Sequence, residues 1–278
     1  MSNIKVDPLR LYFGDPYPVN DDITIYQPSL ADIMELGENN FYAMLFVFIG
    51  NSTYRKVFLW ENGIDWNKIS DYELFCNLVR ALKVDQTRIL FGDIDFTTFD
   101  IYMQDDPNPE PEPQPENGKK VSPVTKNKWR FRLFERTRVL YSEELDIAIT
   151  ADDYHYMASI LREMVKIYPK TEYTGSKVTK ELLISEDIAK ANKALKEQGE
   201  AEQSTLLPLI SFCCNHPGFK YKRTELKDVK IYEFMDSVQR LQVYESTRAL
   251  VNGSYSGFAD LSKVPKAQFD FMRPLTNN

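Results

Sequence analysis

The stretch from Thr224 to Leu261 carries the strongest helical pattern in the chain. Its large apolar side chains recur at three- and four-residue spacing, at Ile231, Phe234, Met235, Val238, Leu241 and Tyr244. This spacing places them on one face of a helix, and Asn252-Gly253 follows where a helix commonly ends. A face of this size has to be covered. The pattern therefore predicts a core helix, and the alternative for part of the face is a docking surface for another protein.

Other helices are predicted from capping residues that precede apolar positions. Ser29, Ser70 and Thr150 are each followed three residues later by an acidic residue, the spacing of a capping box. A charged stretch from Leu182 to Glu202 and the apolar segment STLLPLISFCC, residues 204–214, are also predicted to be helical. Both termini of the chain are therefore expected to be rich in helix.

Between these helical parts the pattern changes to short β-rich runs. The predicted strands are Ile89–Phe91, Phe96–Met103, Trp129–Phe134, Arg138–Tyr141 and Leu145–Ile149. Two further short strands are predicted near the N-terminus, at Leu9–Phe13 and Ile23–Gln27. Together these runs predict a small antiparallel sheet, to which the N-terminal strands are expected to be added.

Residues 105–126 interrupt the predicted sheet with a stretch in which proline alternates with acidic and polar residues. Such a composition cannot bury apolar area and favours an extended chain, so it predicts a long disordered Pro/Glu loop. The fold class is accordingly α+β. Residues 1–150 form a helical N-terminal part with the small antiparallel sheet, and residues 151–278 form a helical C-terminal part.

Charge and hydropathy exclude several classes of partner. The net charge is −7 and the acidic excess falls within residues 1–100, so the chain lacks the basic surface that nucleic acid requires. The longest apolar run, Phe41–Ile49, is far shorter than the roughly 20 residues of a membrane-spanning helix. The N-terminus has no apolar signal sequence and the 3 cysteines show no disulfide spacing. These features predict a cytoplasmic protein without nucleic-acid or membrane partners.

Two groups of residues invite a hypothesis of metal chemistry. Cys213, Cys214 and His216 lie close together in the sequence, but the paired spacing of a zinc site is missing. Asp93 and Asp95 offer carboxylates for a divalent cation, as does the pair at residues 152–153, without supporting ligands nearby. Nucleotide-binding and hydrolase motifs are also missing from the sequence. We therefore predict a protein that is not an enzyme and holds no cofactor or metal, and a metal-dependent enzyme around Asp93 and Asp95 remains the less favoured alternative.

The order of these pieces resembles a known group of proteins. The phrases that carry the resemblance are ITIYQPSLADIMELGENNFYAML, LDIAITADDYHYMASILREM, STLLPLISFCCNHP and IYEFMDSVQRLQVYESTRALVNGSYSG. They are similar to tail-module proteins of phages and prophages of Gram-positive bacteria, and the closest functional analogy is to the tail assembly chaperones. The resemblance covers most of the chain outside residues 105–126.

The resemblance implies a phage morphogenesis protein of the host cytoplasm that shields an apolar, helical client. The expected partners are phage tail proteins, namely the tape measure protein or the tail tube. The alternative is a structural component of the tail or baseplate, located in the virion. The aromatic residues predicted to contact a partner are Tyr232, Tyr244, Tyr255 and Phe258, because they fit a single buried helix face least well.

Overall fold

The computed structural model describes residues 6–115, 120–198, 204–256 and 264–275, and its architecture is α+β as predicted. The helices are α1 (Pro8–Tyr12), α2 (Leu30–Leu36), α3 (Glu38–Ile49), α4 (Lys56–Glu61), α5 (Asp71–Val79), α6 (Val84–Phe91), α7 (Pro123–Thr137), α8 (Ala151–Val165), α9 (Lys177–Gln198), α10 (Leu206–Asn215) and α11 (Ile231–Ser256). The strands are β1 (Tyr17–Pro18), β2 (Thr24–Ile25), β3 (Asp100–Met103), β4 (Arg138–Ser142) and β5 (Ile147–Ile149). Short 3-10 turns include Trp66–Lys68, Phe96–Thr98, Glu225–Asp228 and Lys266–Phe269.

The predicted helix starts are confirmed at all three capping residues. The Ser29 and Thr150 side chains each accept a backbone N–H three residues on, in reciprocal capping boxes at the start of α2 and α8. The Ser70 side chain accepts the Glu73 N–H in the same way at the start of α5. Each cap satisfies a backbone donor that the helix itself leaves unpaired.

The small antiparallel sheet is also confirmed, with three strands in the order β3-β4-β5. Leu140 lies opposite Ile101 on one side and Ile149 on the other, so the sheet buries Leu140 and Ile149 towards the core. The N-terminal strands β1 and β2 pair with each other in a separate sheet, in which Tyr17 lies opposite Ile25. The expectation that they join the main sheet is therefore wrong.

Three predicted strands are helical in the structure. Trp129–Phe134 lies within α7, Leu9–Phe13 overlaps α1, and Ile89–Phe91 is the last turn of α6. For the first two the local cause is a strong helix start, since an N-cap side chain (Ser122 or Asp7) is followed by proline at the first helical position. These start signals outweigh the period-two alternation of the WRFRLF segment.

The described part of the Pro/Glu segment runs along α7, which differs from the disordered loop that its composition predicts. The Trp129 indole N–H donates to the Glu110 carbonyl at 3.1 Å. The Arg136 guanidinium lies 3.3 Å from carboxylate oxygens of both Asp106 and Glu110. Residues 123–126 form the first turn of α7, and residues 116–119 lie outside the described residues. The acidic residues therefore face a basic helix, a partner that composition alone does not reveal.

The hydrophobic core draws on both parts of the chain, on either side of residue 150. Helix α3 packs against α8, and stacked or tilted aromatic rings such as Phe48, Phe75 and Tyr154 join them. The Tyr72 hydroxyl donates to the Ile149 carbonyl at 2.7 Å, which ties α5 to the sheet. The two parts thus fold around one shared core.

The predicted apolar face of α11 is buried over its first half. Ile231, Phe234 and Val238 are inaccessible to solvent or nearly so, whereas Leu241 is partly buried and Tyr244 is exposed. The helix also continues past Asn252-Gly253 to Ser256, so the end predicted there is wrong. The apolar face is therefore less buried in the second half of α11 than the sequence pattern predicts.

Helix α9 docks on the fold through its first half. Ile184 packs into a second, smaller cluster with Leu59 and Trp66, and Lys180 forms an ion pair with Asp65 at 2.6 Å. Of the helices in the described ranges, none combines the length and the apolar character that are needed to cross a bilayer.

Candidate functional site

An apolar groove of about 430 Å³ opens to solvent between α2 and α10. Its floor contains the buried side chains of Leu30 and Ile33 from α2 and Leu206 from α10. Its rims carry Met34 and Leu207, whose side chains are 66% and 63% exposed. Large apolar side chains that line a concave surface and stay in water are typical of a binding site.

The sequence of α10 explains why these side chains are exposed. The segment LLPLISFCC is apolar on every side, whereas a helix at the surface of a fold can bury only one face. Leu206 and Cys213 are buried, and Leu207 and Phe212 face solvent. The solvent-facing side of α10 is therefore apolar, whereas the outer face of a surface helix is usually polar.

The third wall of the groove is the 3-10 turn Glu225–Asp228, which contributes the buried side chain of Leu226. Two backbone hydrogen bonds fix this segment to the start of α2. The Leu30 N–H donates to the Val229 carbonyl at 3.1 Å, and the Ile231 N–H donates to the Pro28 carbonyl at 3.0 Å. The walls are therefore held in place by the backbone.

Glu38, at the first position of α3, closes one end of the groove and holds the start of α10. Its Oε1 accepts the backbone N–H of Thr205 at 2.6 Å and of Leu206 at 2.9 Å. Its Oε2 accepts the hydroxyl of Ser204, whose own oxygen accepts the Leu207 N–H at 2.8 Å. A carboxylate from a distant helix thus caps α10 together with the local Ser204, and its charge is favourable at a helix N-terminus.

We expect Glu38→Ala to lower the free energy of unfolding by about 1–2 kcal/mol, because three donors at the start of α10 lose their acceptor. Glu35→Ala is the matched control, since Glu35 is an exposed carboxylate on the neighbouring helix. The control should stay within about 0.5 kcal/mol of the parent. Denaturant unfolding of the two variants measures the difference, and equal midpoints would show that Glu38 does not hold α10.

The four aromatic residues predicted to contact a partner lie in different environments. Tyr232 is buried, and its ring lies beneath the Lys166 ammonium at 4.5 Å. Its hydroxyl accepts from Lys166 at 3.3 Å, and burial raises the pKa of this phenol. A partner cannot reach this side chain in the folded protein, so we no longer assign it a contact role.

Tyr244 and Tyr255 lie farther along the chain, and neither lines the groove. Tyr244 is 44% exposed and packs against Phe271 with ring centroids 5.5 Å apart. It lines a second depression, of about 360 Å³, that also carries charged side chains. Tyr255 is 86% exposed near the end of α11, and Phe258 lies outside the described residues. The structure therefore does not bring the three described residues, Tyr232, Tyr244 and Tyr255, together into one surface.

Cys213, Cys214 and His216 have separate roles at the end of α10. The His216 Nδ1 accepts the Gly218 N–H at 3.0 Å, and its Nε2 lies 3.1 Å from Glu245 on α11. Cys213 is buried and Cys214 is exposed, so the two thiols lie on different sides of the helix. His216 thus connects the end of α10 to α11 through its contact with Glu245.

Cys214 is expected to be the only one of the 3 cysteines that reacts quickly with a thiol reagent in the folded protein. Burial raises the pKa of Cys76 to about 12 and that of Cys213 to about 11, which leaves little reactive thiolate. A chromogenic disulfide titration with and without denaturant measures this. Cys214→Ser should remove the fast phase, and its persistence would show that a buried thiol is accessible.

The aspartates considered for a cation serve local structure. Asp95 caps the turn Phe96–Thr98 by accepting the Thr97 N–H, and Asp93 pairs with Arg88 at 2.9 Å. Asp153 belongs to the capping box of α8. Within the described ranges, no three His, Cys, Asp or Glu side chains are grouped as ligands for a metal ion.

Comparison of the chain with protein-family models, with curated proteins and with solved structures finds no match in any of the three. The groove is therefore interpreted from its own geometry. Its lining is mostly apolar and opens to solvent, Glu38 is already engaged by α10, and Arg223 and Lys227 supply the other charges of the lining. Such a surface is suited to bind an apolar partner.

The groove is not predicted from the sequence. Spacing groups the apolar residues of α2 and of residues 204–214 into helix faces but does not separate buried from exposed positions. The available signal was the uniformly apolar character of LLPLISFCC, which is too apolar for a surface helix without a partner.

Proposed function

We propose that this protein is a non-enzymatic phage morphogenesis protein of the tail assembly chaperone type. In this role it shields an apolar helical client, such as the tape measure protein, in the host cytoplasm until tail proteins displace it. The resemblance of the chain's segments, in their order, to phage tail-module proteins supports this class of protein. The groove supplies a surface for the client.

The open groove between α2 and α10 is the observation that carries the proposal. It exposes Met34 and Leu207 beside a floor of buried Leu30, Ile33 and Leu206. An amphipathic helix inserts apolar anchors, spaced three or four residues apart, into grooves of this kind. The volume of about 430 Å³ holds a few such side chains, and the body of the client helix would lie across the opening.

Binding alone accounts for the shielding activity. A long helix with an apolar stripe aggregates when that stripe is exposed, and burial against the groove removes apolar area from water. Release then requires competition by tail subunits for the same stripe and no covalent chemistry. The activity should therefore be independent of Cys213, Cys214, His216, Asp93 and Asp95.

The experiment is co-expression with the tape measure protein of the same tail module, followed by affinity purification at low and high salt. We expect a soluble complex that survives high salt, because apolar burial is the main driving force. Failure to retain the tape measure protein, or a complex that dissociates at moderate salt, would contradict the proposal.

Purified phage particles separate the proposal from its alternative, a structural component of the tail or baseplate. A chaperone should be absent or nearly absent from particles, since it leaves the client during assembly. Stoichiometric presence of this chain in purified virions would favour the structural alternative and contradict the chaperone role.

A further inference from the structure

We propose that the groove selects a helix whose apolar stripe is flanked by carboxylates, through the cationic side chains of Arg223 and Lys227. This inference rests on the proposed function and specifies the chemistry of the client. Both side chains line the groove beside Leu226, on the wall that includes the 3-10 turn Glu225–Asp228. A client helix seated on the apolar floor would bring its flanking residues against this wall.

The charge at the groove is positive once its own contacts are considered. Glu38 is the acidic side chain among the described lining residues, and α10 occupies its carboxylate through Ser204, Thr205 and Leu206. The acids beside the two cations, Glu225 and Asp228, do not belong to the lining. An approaching helix therefore meets two cations in the lining, and the one carboxylate of the lining, Glu38, is already engaged by α10.

Arg223 and Lys227 differ from two other cations of the C-terminal part, Lys220 and Arg240, which have partners within the fold. Lys220 pairs with Glu233 at 3.4 Å, and Arg240 donates to the Arg273 carbonyl at 2.8 Å. Among the described residues, neither Arg223 nor Lys227 has a side-chain hydrogen bond or an ion pair, and both are exposed. Their charges are thus free to meet a partner.

Two exposed cations at the rim of an apolar groove act mainly on selectivity. An exposed ion pair contributes little, about 0.2–1 kcal/mol, whereas a like charge in the same place opposes binding. The apolar floor provides affinity for any helix with a matching stripe. Arg223 and Lys227 then favour helices with acidic flanks and disfavour helices with basic flanks.

Two synthetic amphipathic helices of roughly 20 residues, long enough to be helical, provide the test. Both carry the same leucine stripe, and the positions beside it are glutamate in one and lysine in the other. Titration calorimetry with the full chain at low ionic strength should give about tenfold tighter binding of the glutamate-flanked helix. Physiological salt should reduce this ratio.

The double variant Arg223→Glu and Lys227→Glu should reverse the preference between the two helices. The matched control is Lys128→Glu with Lys222→Glu, which changes the net charge equally at exposed positions outside the groove lining. The control should keep the preference of the parent. Circular dichroism and thermal unfolding of each variant establish that the fold is retained.

The outcomes separate this inference from the proposed function. If neither helix binds the parent, the groove is not a helix-binding site and the proposed function loses its support. If both helices bind the parent equally and the double variant keeps these affinities, helix binding by the groove is supported and the charge selectivity is overturned. A dimer of the parent that Leu207→Asp dissociates would assign the groove to a second copy and also overturn the inference.

Discussion

Phe234→Ala is expected to lower the free energy of unfolding by about 3–5 kcal/mol, with a fall in Tm of about 10 °C. Phe234 is completely buried on the inner face of α11, within the core that both parts of the chain share. Truncation removes the ring and leaves a cavity that rigid neighbours cannot fill. Chemical denaturation followed by circular dichroism measures the loss.

Two variants on the same helix serve as controls for Phe234→Ala. Tyr255→Ala removes a ring that is almost entirely exposed, so its unfolding midpoint should match that of the parent. Leu241→Ala should fall between the two, because Leu241 is only partly buried. Equal stability of the Phe234 and Tyr255 variants would show that the inner face of α11 is not part of the core.

Leu207→Asp is expected to weaken binding of the tape measure protein at least about tenfold while the stability of the free protein stays unchanged. Leu207 is exposed in the free protein, so an aspartate there remains hydrated. On binding, the client would have to bury this carboxylate in an apolar groove, which costs several kcal/mol without a partner charge.

Leu182→Asp is the matched control for the groove variant. Leu182 is 55% exposed on α9 and does not line the groove. The substitution is the same leucine-to-aspartate change as at position 207. Its affinity for the client should equal that of the parent in a quantitative pull-down or by surface plasmon resonance. Equal affinities of both aspartate variants would place the client elsewhere on the protein.

The helices of this fold were predictable where local chemistry decides them. The helix starts at Ser29, Ser70 and Thr150 are predicted from capping residues. A short polar side chain and an acid three residues later satisfy backbone donors locally, without contacts from the rest of the fold. Trp129–Phe134 shows the opposite case. Its alternating pattern predicts a strand, but Ser122 and Pro123 start a helix whose arginines then face the acidic Asp106–Glu110 region.

The groove was not predictable, because it depends on contacts between segments far apart in the chain. Leu206 and Leu207 are adjacent and identical in type, yet one is buried and the other exposed. Glu38 caps a helix more than 160 residues away, a contact that no local spacing indicates. The sequence predicts Tyr232 as a partner contact, but Glu163 of α8 and Lys166, the residue that follows α8, lie beside its hydroxyl and ring.

The most direct test of the groove as client site is site-specific photo-crosslinking in the co-expressed complex. A benzophenone amino acid replaces Leu207 in one sample and Leu182 in another, and mass spectrometry identifies the crosslinked peptides. We predict crosslinks from position 207 to apolar helical segments of the tape measure protein and none from position 182. Crosslinks from position 182 alone, or from both positions equally, would contradict the assignment of the client to the groove between α2 and α10.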